Sequence, residues 1–157
     1  MQTTRLSVVF KATLFAITCL LLYSFSFTAW QPDIETAKKR ANENHHLILL
    51  VFSGSDWCIP CMRLHKDILE NPSFLKMADT TLEMVNADFP RQKKNQLPGN
   101  VVKENESLAD KYNAQGKFPF TVLLDANGKL IKAWDGMPTE NATAFANEIR
   151  MIADARK

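Results

Sequence analysis

From residue 30 onward the chain alternates short apolar runs with amphipathic stretches. Leu47-Ile-Leu-Leu-Val-Phe52 contains no polar side chain, the pattern of a strand covered by helices on both faces. Ahead of it, Ile34, Ala37 and Ala41 recur at helical spacing, while Glu35, Lys38, Lys39 and Arg40 point elsewhere. This predicts an amphipathic helix capped by Asp33 and ending near Asn44. Ser53-Gly-Ser-Asp56 supplies turn residues after the apolar run. Met62, Leu64, Ile68 and Leu69 then mark the apolar side of a second helix. Asn71-Pro72 ends it, and Pro72 suits the first position of a short helix over 73–79. Residues 82–88 read as a second strand, 89–106 as an exposed polar loop and 107–113 as a short helix.

The last third is patterned more sharply. Residues 116–125 become strongly apolar after Pro119, and a proline is excluded from a central ladder, so Pro119 marks the start of a third strand. Ala126-Asn-Gly-Lys129 is a hairpin turn signal, with residues 130–134 as the partner strand. Thr139 is the expected cap of a final helix carrying Ala142, Phe145, Ala146, Ile149, Ile152 and Ala153 at helical spacing. Helices between the early strands make those strands parallel, and the hairpin adds an antiparallel edge. The fold class is α/β, a mixed central sheet of about four strands flanked by helices.

An N-terminal apolar segment precedes this domain. Arg5 and Lys11 lead into a charge-free run from Ala12 to Tyr23 that weakens toward Trp30, the pattern of a secretory signal. Residues 1–29 are read as a signal peptide or a membrane anchor through 12–30, and 30–157 as one domain. Either reading exports the domain, to the periplasm or beyond the cell. Arg5 and Lys11 also account for the whole formal net charge of +2, so the domain itself is balanced. That balance gives no basis for a nucleic-acid partner. Cys19 lies in the apolar core of the segment and is assigned no role.

Two cysteines remain, in Trp57-Cys58-Ile59-Pro60-Cys61 at a strand-to-helix junction. Three residues apart, they can close a disulfide across one helical turn or open to a dithiol, with the first expected to be exposed and the second shielded. A staple around so short a loop removes little unfolded-chain entropy, so the spacing favours redox chemistry. His45-His46 is not read as a metal site, because neighbours on a strand point to opposite faces. Neither a metal nor a cofactor is expected.

With Cys58 and Cys61 at a helix start and Pro119 before the third strand, the chain resembles the thioredoxin superfamily. The resemblance runs from about Ile34 to Arg156 and rests on Trp57-Cys58-Ile59-Pro60-Cys61, Phe118-Pro119-Phe120-Thr121 and Asp125-Ala-Asn-Gly-Lys129. Within the superfamily it is similar to short exported bacterial proteins with a Ser-Asp-Trp-Cys-x-x-Cys loop. The resemblance implies a thioredoxin-like fold and exchange with protein thiols and disulfides. It also implies a membrane or soluble redox partner. Cys58 is the expected attacking thiol, favoured as thiolate by free N–H groups and the helix dipole, and Cys61 the resolving thiol. Trp57, Ile59, Pro60, Phe118 and Pro119 are the expected supporting and substrate-contacting residues, with Pro119 cis and the Phe118 backbone free to pair with an extended substrate.

Two departures from the superfamily matter. Leu49-Leu-Val-Phe52 lacks the acid that thioredoxins bury ahead of the motif, leaving water, Asp56 or His65 to move the proton of the shielded cysteine. Ile59-Pro60 lacks the histidine of strong oxidases, which favours reduction or isomerisation of disulfides. The alternatives are a copper-binding module using the two thiolates, and an interaction domain with an idle disulfide.

Overall fold

The computed structural model describes residues 30–156. The N-terminal signal or anchor and Cys19 lie outside the described residues, as does Lys157. Among the described residues, five α-helices and four strands build around one sheet: α1 (Ile34–Asn44), β1 (Leu47–Ser53), α2 (Ile59–Arg63, continued as a wider π-helical turn over Leu64–Leu69), α3 (Pro72–Thr81), β2 (Leu82–Asp88), α4 (Gly99–Tyr112), β3 (Phe120–Leu124), β4 (Leu130–Asp135) and α5 (Ala142–Asp154). The sheet order is β2-β1-β3-β4. β1 runs parallel to β2 and antiparallel to β3, and β4 closes the edge as the antiparallel partner of β3.

β1 is buried along its whole length, as its unbroken apolar run predicts. Alternation then divides the side chains between two cores. Leu47, Leu49 and Val51 face Leu64, Leu69, Phe74, Phe145 and Ile149 from α2, α3 and α5. Ile48, Leu50 and Phe52 face Ile34, Ala37 and Ala41 of α1 and Leu108 of α4. The result is a three-layer sandwich whose central strand delivers the Cys-x-x-Cys loop at its carboxyl end. In the hairpin, Asp125 Oδ1 accepts the N–H groups of Asn127 and Lys129, both at 2.9 Å. Gly128 takes φ of 81° there, a conformation open to glycine without strain.

Three expectations need correction. The stretch 89–106 is not a loop throughout: α4 begins at Gly99 and runs for 14 residues. It docks partly through Asn105, which is buried and donates Nδ2 to the Asp88 carbonyl at 2.8 Å, so its contact is invisible to hydrophobic periodicity. The last helix is capped by Asn141, whose side chain accepts the Ala144 N–H, and not by Thr139. The short helix spans Pro72–Thr81, with Asn71 as its cap. Among the described residues, no helix is long and apolar enough to cross a membrane.

Candidate active site

The end of β1 and the start of α2 build the site. Cys58 is the N-cap of α2, with Pro60 in the first turn, where a missing N–H is tolerated. Cys58 and Cys61 form a disulfide, with Cα atoms 5.2 Å apart. The Cys61 N–H points at Cys58 Sγ, 3.2 Å away. Contrary to the expected contrast in exposure, both cysteines are buried, Cys58 at 5% and Cys61 at 1%. Cys58 is only slightly the outer of the two, because the chain folds its sulfur back against the first turn of the helix. Ile59 and Pro60 project outward instead; Ile59 is 67% exposed and Met62 43%.

The aromatic wall forms from separate parts of the chain. Trp57 meets Phe118 edge-on with centroids 5.3 Å apart, and Phe118 meets Phe89 in the same way at 5.5 Å. The indole Nε1–H donates to the Phe89 carbonyl at 2.7 Å. The Arg91 guanidinium lies 3.7 Å from the Trp57 ring centroid, a cation–π contact. Gly54 permits this arrangement, since a methyl group there would overlap the indole. Phe118–Pro119 is cis, Pro119 is buried, and β3 begins at the next residue.

Asp56 is a brace. Its carboxylate accepts the N–H groups of Arg91 and Gln92, both at 2.9 Å, and the Asn95 amide at 3.0 Å. These bonds, led by that from Arg91, hold its carboxyl below the ordinary value. Asp56 thereby fixes the segment carrying Phe89 and Arg91, and it is occupied elsewhere than at Cys61. Asp88, at the end of β2, ties down the same loop through the Ser55 N–H at 2.8 Å and the Ser55 hydroxyl at 2.6 Å. Local pattern gives no sign of Phe89 or Asp88 at the site; the long-range pairing of β1 with β2 brings them there, together with Arg91.

His65 sits one turn beyond Cys61, and both line a cavity of about 320 Å3 behind the disulfide, together with Ser53, Ser55 and Asn86. The imidazole stacks on Trp30 with centroids 5.5 Å apart. Burial pushes its pKa below the ordinary value, against the opposing carboxylates of Glu70 and Asp88. Among the described residues, no group of three or more His, Cys, Asp or Glu side chains is placed to hold a metal ion.

A disulfide spanning the first turn of a helix, with a cis-proline just before the strand that pairs with β1, defines a thioredoxin-like redox site. The chain belongs to the thioredoxin-like domain family, whose model matches residues 34–150, and it is a thiol–disulfide oxidoreductase. It is 33% identical over 127 residues to the disulfide bond reductase DsbH of Chlamydia pneumoniae, covering 81% of this chain and 74% of that protein. It is also 30% identical over 126 residues to the thioredoxin-related protein DsbJ of the same organism, covering 80% of this chain but 35% of that one. A solved structure of a DsbH oxidoreductase superposes with a TM-score of 0.71 at 30% identity, covering 80% of this chain and 83% of the other.

Proposed function

We propose that this protein reduces protein disulfides outside the cytoplasm, with Cys58 attacking and Cys61 resolving. The observation that carries the reading is the helix-start geometry, in which the Cys61 N–H is aimed at Cys58 Sγ. In the dithiol state the same N–H and the helix dipole favour a thiolate at Cys58. That thiolate attacks one sulfur of the substrate disulfide and expels the other as a thiolate, leaving a mixed disulfide on Cys58. The Cys61 thiol loses its proton and attacks Cys58 Sγ; the substrate leaves as a second thiolate and takes up a proton. Two electrons pass to the substrate, and the Cys58–Cys61 disulfide forms.

Trp57, Ile59, Pro60 and Phe118 form the substrate-facing surface, with Pro119 buried behind Phe118. Phe118 lies outside the β3 ladder, which suits pairing with an extended segment, while Ile59 offers an exposed apolar contact. The direction is supported by the reductase name of the DsbH relative and by the absence of histidine between the cysteines. A membrane or soluble dithiol partner returns the pair to its reduced state. Residues 1–29 act as the export signal or anchor.

Insulin reduction tests the reading. The wild-type protein is expected to accelerate dithiothreitol-driven insulin precipitation, and Cys58→Ser to fall to the uncatalysed rate. An undiminished rate in Cys58→Ser would contradict it.

A further inference from the structure

The resolving step leaves a chemical demand that the two cysteines do not meet. Cys61 is 1% exposed, and burial disfavours a thiolate. A shielded thiol that must attack within the protein needs a base close by. Asp56 is committed to Arg91, Gln92 and Asn95, and β1 carries no acid.

We infer that His65, which lines the same cavity as Cys61 one helical turn away, is the proton acceptor for Cys61. The inference rests on Cys61 being the resolving thiol. Cys61 and His65 are four residues apart on one helix, so their side chains emerge on the same face. Both line the cavity behind the disulfide. His65 Nε2 is enclosed by protein and makes no hydrogen bond. A buried ring nitrogen without a partner is costly, which calls for a role beyond packing on Trp30. Ser53, Ser55 and Asn86 supply the polar part of the cavity wall.

The surrounding charges suit the task. Lys66 and Glu70 flank the cavity from the same helix, and Asp88 acts on the ring from β2. Burial favours the neutral imidazole, the form that can accept a proton. Glu70 and Asp88 stabilise the imidazolium once the proton arrives. In the step itself, the Cys61 S–H bond breaks and its proton moves to Nε2. The sulfur's electron pair forms the bond to Cys58 Sγ, and the Cys58–substrate S–S bond breaks. The substrate leaves as a thiolate. The imidazolium then returns its proton to solvent or to that thiolate.

Stopped-flow reaction of the reduced full-length protein with Ellman's reagent separates the two steps. The first nitrothiobenzoate is released in a reagent-dependent phase by Cys58, and the second in a reagent-independent phase by Cys61. His65→Phe, which keeps an aromatic ring against Trp30, is expected to leave the first phase within about two-fold. It slows the second by about 10-fold or more near neutral pH and moves its pH midpoint upward. His65→Asn gives the same result if the phenylalanine variant does not fold. Second-phase rates and pH profiles that match wild type in a folded variant would overturn the assignment. A wild-type protein that never releases the second nitrothiobenzoate would instead overturn the reading of Cys61 on which it rests.

Discussion

Two titratable side chains, Glu83 fully buried near one end of the sheet and His65 half-buried behind the disulfide at the other, are treated in opposite ways. Glu83 is the second residue of β2, and its side chain is fully buried. Its carboxylate accepts from Gln31 Nε2 at 2.6 Å, Arg40 Nε at 3.1 Å and Asn44 Nδ2 at 3.0 Å, with His46 Nδ1 at 3.1 Å. Every lone-pair direction is used, and the cluster pins α1 and the chain before it to β2. His65 has an enclosed nitrogen with no bond at all. A saturated buried group holds the fold together; an unsaturated one beside a reactive sulfur is free to exchange a proton. Burial alone does not distinguish structure from chemistry, but the count of partners does.

The largest expected effect comes from breaking the saturated end. Glu83→Ala removes the carboxylate shared by Gln31, Arg40, Asn44 and His46 and costs about 3 kcal/mol of stability, read as a lower urea midpoint. The second-phase kinetics of the protein that remains folded should match wild type, the reverse of the His65→Phe pattern. A Glu83→Ala protein with slowed exchange but undiminished stability would break the comparison.

A smaller effect, at the active end, is expected from Asp56, which is saturated like Glu83 but lies at the surface. Folding depresses its pKa, so its stabilisation is complete above the ordinary carboxylate value. It is lost as the pH falls through the lower, folded value. Asp56→Asn should therefore lower the urea midpoint at neutral pH, with the gap from wild type closing in acid. A gap that stays constant across that range would mean that the Asp56 charge does no bracing.

Much of this architecture can be read from residue patterns. The run of six apolar residues in β1 led directly to a central strand, and Pro119 fell immediately before β3 because its ring cannot enter the ladder. The Cys58–Cys61 spacing located the redox pair, and Asn127-Gly128 the hairpin. What periodicity missed was polar or distant. The first turns of α4 follow Pro98-Gly99, which reads as punctuation, and one of its two buried residues is an asparagine. The Asp56 brace joins residues more than 30 apart in sequence, a pairing no local pattern encodes. His65 lies two turns beyond Cys58 but only one beyond Cys61. Counted from Cys61, its four-residue spacing was already a signal.

The most direct test of the central claim, attack by Cys58 and resolution by Cys61, is a trap. Cys61→Ala, expressed with its N-terminal segment in a bacterial host and quenched with acid, should accumulate protein adducts. Mass spectrometry should locate them on Cys58, dithiothreitol should release them, and the added Cys58→Ser change should abolish them. A folded Cys61→Ala protein with no adduct on Cys58 would contradict the account.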